Sequence, residues 1–463
     1  MASQKTKIIW VTMAVLVLAG AALVVSMLVR APRSWEHKRK AMMSKYTHML
    51  ESKDAALRRE AVMSLGGVGD KSVIPRLLKA LQDPDERVRE NALISMRAWG
   101  DASQLDQVEP LLKDKNERVR SAAVFTLINL GGKDRYAAVK PFLSDPSLMV
   151  REQAVLALGK LPEAMVLGDL MKAMEDPEVM VRRRAIWVLT NFSDPTAIQK
   201  IVGALKSGIP MLQGDAAMAL GRMNAKGAVP DLIQAADNKD PFVRRAAIMA
   251  LGNLGDSRAE DVLIRALSEK ENTTRREAAL ALGRLGTPGA VPALLPLLKE
   301  EDPVVRVAVA HALSEAAGPQ HLDTVQKMTM DKDETIREEA VAALGRIKNE
   351  KAVDILKRMT TDSSERVRWA VVTALDEVGS VEAGNILKSL VKSEKSDWIK
   401  RHIENILNRL EMQKRVGGKA RVMPPESTDM PPAADQTMAP TAVPTPEAAA
   451  ENKTTKPRSP RKR

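Results

Sequence analysis

The sequence contains no cysteine and few aromatic residues, with six Trp, four Phe and two Tyr among 463 positions. The missing cysteine excludes disulfides, thiolate metal sites and a thiol nucleophile. It does not select a compartment, because a cysteine-free chain suits reducing and oxidising surroundings alike. With aromatics at 3% and apolar residues at 44%, the core must be built from Leu, Val, Ile, Ala and Met, side chains small enough to let helices approach closely. Histidine is also scarce, limited to His37, His48, His311, His321 and His402. His311 and His321 are separated by the Gly318-Pro319 break, a poor spacing for metal ligands. No phosphate loop and no nucleophile elbow occurs. No catalytic residue, metal, cofactor or small-molecule substrate is therefore expected.

The net charge of +12 belongs to the ends of the chain. Residues 1–45 hold eight Lys or Arg against one Glu, and residues 412–463 hold ten against five acids, which leaves 53 basic and 53 acidic residues of the 71 and 59 in total. A protein that tracks phosphates with its folded body carries a basic surplus there. The neutral body argues against nucleic acid as the main partner.

Residues 8–29, IIWVTMAVLVLAGAALVVSMLV, carry no charge, and at 1.5 Å per residue such a helix spans roughly 30 Å of hydrocarbon. Trp10 and Trp35 lie near its two edges, where amphipathic rings favour the headgroup layer. A cleaved signal peptide, with Ala19-Gly20-Ala21 as its small-residue site, is the rival reading, but the apolar run continues past Ala21. The expectation is one transmembrane helix over 8–29, after a short flank at 1–7 and before a basic juxtamembrane linker at 30–44. Arg30, Arg33, Lys38, Arg39 and Lys40 follow the span while Lys5 and Lys7 precede it, a bias that favours a cytoplasmic over an exported body.

Between these ends an Arg recurs every 31 residues: Arg58, Arg89, Arg120, Arg151, Arg182, Arg244, Arg275, Arg306, Arg337 and Arg368, with Gln213 in the one missed slot. Three residues later stands a small or β-branched residue, from Ala61 to Val371, and seven later an apolar one, from Leu65 to Leu375. Self-similarity of this period marks a solenoid whose units complete their cores only by stacking. In each unit a first apolar-striped helix, such as KSVIPRLLKALQ, is broken by an Asp turn and followed by a second, such as ERVRENALISMRAW. Pro75, Pro110, Pro141, Pro230 and Pro292 read as first-turn prolines of the first helices, where they cost little. The sixth unit, KSGIPMLQGDAAMALGRM, lacks both the Asp turn and the Arg and adds Gly208, Pro210 and Gly214, so the array is expected to be least stable there and to bend.

The pattern V-R-x-x-A-x-x-x-L-G, seen in DPSLMVREQAVLALGKL and DPFVRRAAIMALGNLG, resembles the HEAT-like repeats of the phycobilisome-lyase type over about residues 45–411. The resemblance implies a right-handed α-solenoid of about twelve 31-residue helical hairpins. It also implies a ladder in which Arg89, Arg120, Arg151, Arg182, Arg244, Arg306, Arg337 and Arg368 pair with the turn Asp residues Asp83, Asp114, Asp145, Asp176, Asp331 and Asp362. In such solenoids second helices tend to line the concave face, so Arg183, Arg184, Arg245 and Arg276 read as a groove for an acidic partner. Proteins of this kind include bilin lyases, a di-iron hydroxylase and many scaffolds. The His-Glu dipeptides of the hydroxylase are absent here.

The last segment, 412–463, is rich in Pro, Ala and Thr and ends in KTTKPRSPRKR, a composition expected to be disordered. The expectation is thus an all-α, single-pass membrane scaffold that binds protein partners through its solenoid surface. The alternatives are a lyase-type enzyme or enzyme subunit, and nucleic-acid or anionic-lipid binding through the basic tail.

Overall fold

The computed structural model describes residues 39–68, 71–287 and 289–415, and within them the chain is helical with no strand. The expected span at 8–29 with Trp10 and Trp35, most of the expected linker, and residues 416–463 lie outside the described residues. Among the described residues no helix is long and apolar enough to cross a membrane. Twelve helical hairpins follow one another. Their second helices are Ala55–Val68, Glu86–Trp99, Glu117–Gly131, Leu148–Leu158, Val179–Leu189, Pro210–Arg222, Pro241–Leu254, Asn272–Leu285, Pro303–Ala316, Glu334–Ile347, Glu365–Val378 and Asp397–Arg415, and they number the units 1 to 12.

The two periodic apolar columns form the core. Ala61, Ala92, Ala123, Ala154, Ala185, Ala216, Ala247, Ala278, Val309, Ala340 and Val371 are all buried, as are the residues four positions on, from Leu65 to Leu375. Stacking is closest where Gly stands one residue after that second column. A methyl added at Gly221 would lie 2.8 Å from Ala250 Cα, and one at Gly283 would lie 2.7 Å from Ala312 Cα. Glycine inside a helix costs about 0.5–1 kcal/mol relative to alanine, and here it permits backbone-to-backbone approach.

Two boundaries differ from the sequence reading. Residues 39–49 are helical and form the first helix of unit 1, so the array starts inside the expected linker. Met43, Tyr46 and Leu50, spaced for one helix face, pack against the core and explain why. Pro110 and Pro141 do not sit in a first turn. They fall where the α-helices Leu105–Val108 and Tyr136–Val139 tighten into 3-10 segments, Glu109–Lys113 and Lys140–Ser144, because proline removes one i to i−4 hydrogen bond. Pro75 and Pro230 do open their helices.

Most column Arg residues join two loops. Arg89 Nη1 donates to the Asp83 and Pro84 carbonyls of its own turn at 2.7 and 3.1 Å, while Nε and Nη2 donate to the Asp114 carboxylate of the next unit at 2.8 and 2.9 Å. The same bidentate pairing links Arg58 to Asp83, Arg120 to Asp145, Arg151 to Asp176 and Arg337 to Asp362. Each of these acids also accepts the N–H two residues on, as Asp114 does from Asn116 at 2.8 Å, so the carboxylate is fixed before the guanidinium arrives. The helix itself starts from a different residue, with Asp85, Asn116, Asp240, Asp302 and Asp333 as N-caps.

The ladder is not uniform. Among the described residues Arg306 bonds only to the Glu300 and Glu301 carbonyls of its own loop, both at 2.8 Å, and forms no ion pair with Asp331, although that carboxylate accepts the Asp333 N–H as the paired acids accept theirs. Arg182 likewise holds its own loop, and the next turn offers it no acid because Ser207 stands there. Where Glu replaces Asp, the longer arm reaches only Nη2, as in the pairs Arg244 with Glu269 and Arg275 with Glu300, and both Nε atoms stay buried without a partner. Glu394, one residue later in register, restores a bidentate grip on Arg368.

Unit 6, expected to be the weak joint, is held by other means. A methyl at Gly214 would overlap the Phe242 ring of unit 7, so the missing side chain is the socket for an aromatic knob. On its other side Asp215 forms an ion pair with Arg183 of unit 5.

Glu300 shares its backbone conformation with Asp114 and Asp145, φ near −60° and ψ near 140° in all three. Glu300→Asp should therefore give Arg275 a second hydrogen bond to that carboxylate, through Nε, and raise stability by about 0.5–1.5 kcal/mol. Thermal unfolding and slower amide exchange in units 8 and 9 would register the gain; an unchanged or lowered midpoint would contradict this account.

Burial pushes the Asp114, Asp145 and Asp362 carboxyls up, but their Arg partners and turn N–H groups outweigh it and hold all three below the ordinary range. A carboxyl depressed in the folded state contributes stability above its unfolded pKa, near 4, and loses it as pH falls through the folded value. Urea unfolding should show stability flat from neutrality to about pH 5 and falling below pH 4, and Arg120→Gln should flatten that slope.

Candidate functional site

The column five residues after each Arg was not singled out in the sequence, and it forms a regular apolar row on the second helices. Met63, Ile94, Phe125, Leu156, Trp187, Met218, Met249 and Leu280 occupy this position in units 1 to 8, one per second helix. Met63 is 64% exposed, Ile94 47%, Trp187 49% and Met249 36%; the other four are half-buried. A core position repeated through an array would be dry, as the neighbouring columns are. Half of this column is instead exposed, which makes the row a candidate contact surface. The signal was present in the 31-residue register, but only the columns that read as core drew attention.

Seven residues earlier on the same helix face comes a second row, Met149, Met180 and Met211 in units 4 to 6. Met149 and Met211 are exposed. Beside these rows, on the second helices of units 5, 7 and 8, lie the arginines that the sequence grouped as an acidic-partner groove. The structure divides them. Arg183 is engaged by Asp215, with its Nη1 2.9 Å from Met211 Sδ. Arg276 Nη2 is engaged by Glu277 at 2.6 Å. Arg184 lies with its guanidinium 5.9 Å from the Trp187 ring centroid and forms no ion pair among the described residues. Arg245 has neither ion pair nor side-chain hydrogen bond among them. The groove of four is thus reduced to Arg184 and Arg245, because acids 32 and one residue away take the other two.

Nearer the N-terminus the stripe is flanked by cations differently. The Phe125 ring lies between Arg97, 4.6 Å from its centroid, and Lys160, 4.4 Å from it. Burial brings Arg97 down to about 10, opposed by the nearby Glu90 carboxylate, and its Nε donates to Thr126 Oγ1 at 3.1 Å.

The stripe ends at unit 9, where His311 takes the position. Its Nδ1 faces Glu339 at 3.0 Å and its Nε2 faces Glu315 at 3.6 Å. The Glu339 hydrogen bond raises its pKa, against burial that lowers it. His321 Nδ1 accepts the Gly318 N–H at 3.2 Å. Charge on the second helices changes sign at the same place. Apart from the column arginines, units 5 to 8 carry Arg183, Arg184, Arg222, Arg245, Arg276 and Arg284 against Asp215 and Glu277. Units 9 to 11 carry Glu315, Glu334, Glu338, Glu339, Glu365, Asp376 and Glu377 against Arg346 and Arg366. Depressions between units are open and charged, such as one of about 540 Å³ between units 4 and 5, lined by Lys140, Asp169 and the Arg151 and Asp176 ladder pair. No group of three His, Asp or Glu among the described residues has metal-binding geometry.

No curated relative matches the sequence. Among solved structures, the chain resembles Kap121p, at 14% identity and a TM-score of 0.50, covering 83% of this chain and 51% of that one. It also resembles the structure in which Kap95p binding induces the switch loops of RanGDP to adopt the GTP-bound conformation, at 12% identity and a TM-score of 0.51, covering 80% and 59%. The chain therefore spans little more than half the length of either. The complex of CpcE and CpcF of phycocyanin lyase from Nostoc sp. PCC7120 matches at 23% identity over 52% of this chain and 93% of that one, with a TM-score of 0.32. Likeness at these identities speaks for the solenoid fold alone. The family profile for HEAT repeats matches residues 44–128, 136–210, 204–281, 261–345 and 324–408, the stretch that carries the Arg ladder and its buried columns, and the chain belongs to the HEAT-repeat family.

Proposed function

We propose that the protein is a membrane-anchored, non-catalytic scaffold that holds protein partners on the second-helix surface of its solenoid. The observation that carries this reading is the apolar stripe from Met63 to Leu280, in register across eight units, with four of its residues exposed and four half-buried. Neighbouring helix layers pack roughly 8–10 Å apart, so such a stripe offers contact over a distance no single pocket provides. Recognition is by area, and the shallow, charged depressions between units suit it better than they suit a reacting centre. The uncharged run 8–29 supplies the anchor, with the solenoid on the cytoplasmic side, and tethering raises the local concentration of whatever is bound.

In intact cells the solenoid should be protected from external protease, and a chain lacking residues 1–30 should leave the membrane fraction. Crosslinks to partners should concentrate on the second helices of units 1 to 8. Met63→Lys with Ile94→Lys, at exposed positions, should change stability by no more than about 0.5 kcal/mol while reducing those crosslinks several-fold. Crosslinks confined to the first helices, or indifferent to both substitutions, would refute the reading.

A further inference from the structure

We infer that units 5 to 8 dock an acidic amphipathic α-helix of a partner protein, seated on Trp187, Met218 and Met249 and steered by Arg184 and Arg245. The inference rests on the scaffold reading and specifies the partner's chemistry. Three observations converge on these units. Both apolar rows meet here, Met180 and Met211 in one and Trp187, Met218 and Met249 in the other. Methionine adapts to irregular apolar surfaces, and a half-exposed tryptophan provides the large anchor that interfaces favour. The two arginines without an acidic partner lie beside these rows, while the second helices of the same units carry a basic surplus. An occupant therefore needs an apolar face for the rows and carboxylates for the guanidinium groups.

Spacing selects the helix. Stacked units repeat at roughly 8–10 Å, and seven residues of α-helix rise about 10.5 Å, returning a side chain to the same face. Apolar residues at heptad spacing on the partner can therefore meet the stripe one unit at a time. A helix of about twenty residues spans units 5 to 8, with Glu or Asp on its flanks reaching Arg184 and Arg245.

The probe is a fluorescent synthetic peptide of that length with Leu at heptad positions and Glu on the flanks, titrated by anisotropy against the full chain in lipid nanodiscs. Two peptides serve as comparisons: the same composition scrambled, and an acidic proline-rich peptide that stays extended. The helical peptide should bind at least ten-fold tighter than either, and more weakly as salt rises. Trp187→Ala, and separately Arg184→Glu with Arg245→Glu, should each weaken it ten-fold or more with circular dichroism unchanged. Trp187→Phe should recover most of the loss, and Met330→Ala, at an exposed site off the second helices, should have no effect. Equal binding of the scrambled peptide, tighter binding of the extended one, or indifference to the substitutions would overturn the inference. Should it fall while Met63→Lys with Ile94→Lys still reduces partner crosslinks, the scaffold reading stands and the helix lies elsewhere on the array. Failure of both would remove the scaffold reading as well.

Discussion

The fold depends on the way one guanidinium divides its donors between two loops. Nη1 of each column Arg closes its own turn on two carbonyls, and in the bidentate units Nε and Nη2 grip a carboxylate 25 residues on. That acid lies six residues before the next Arg, and its own carbonyl accepts from that next Arg. Each turn is thereby tied forwards through its Arg and backwards through its acid, so a period in sequence becomes a period in space. Lysine could not substitute, because a point charge lacks the planar fork that serves both loops at once. Removing one partner of a desolvated pair leaves a buried charge, at a cost of about 3–5 kcal/mol, so the ladder tolerates acid exchange better than loss. The exchanges to Glu269 and Glu300 show the tolerance and its limit, keeping the charge and losing one hydrogen bond.

Between units 5 and 7 the ladder stops and packing replaces it. Ser207 gives Arg182 no carboxylate, Gln213 replaces the Arg, and its side chain turns back to the Leu205 carbonyl. The joints are closed instead by the Arg183 pair with Asp215 and by Phe242 against Gly214. This moves an ion pair from the loops to the face of the second helices. The same face carries the methionine rows and Trp187, so the part of the array that departs from the repeat rule is also the part whose surface chemistry is distinctive. Adjacent units that share no loop ion pair interact mainly through side-chain packing, as nearest-neighbour stacking in a solenoid allows.

Much of the fold was legible because it follows from period alone. Every column that the 31-residue register marked as apolar and inward, from Ala61 to Val371 and from Leu65 to Leu375, is buried. What the register could not supply was reach. It placed Arg183 and Arg276 on one helix face with Arg184 and Arg245, but whether a guanidinium is free depends on an acid 32 residues away in one case and next door in the other. It gave no sign that Glu269 and Glu300 take the same slot as the turn Asp residues, where one methylene decides whether Nε is satisfied. It read Pro110 and Pro141 as helix openers, because helix starts are hard to place where the apolar pattern continues through the proline. The stripe at Met63, Ile94 and Trp187 was visible in the letters, yet only exposure separates an apolar surface row from a core row.

The overall neutrality of the repeat body conceals a separation of charge. The ladder contributes mainly paired charges, and on the second helices the remaining charges are unevenly distributed. There the sign reverses between units 8 and 9, at the position where His311 replaces the apolar side chain and is held by Glu315 and Glu339. A body with equal numbers of acids and bases therefore carries a basic, apolar stretch on the second helices of units 5 to 8 beside an acidic, polar stretch on those of units 9 to 11. Such an arrangement orients a partner before contact, since a reversed approach sets like charges against each other, and the apolar stripe then rewards only the correct register. Composition argues against a uniform phosphate-binding surface, while the distribution of charge along the units gives the second-helix surface a direction.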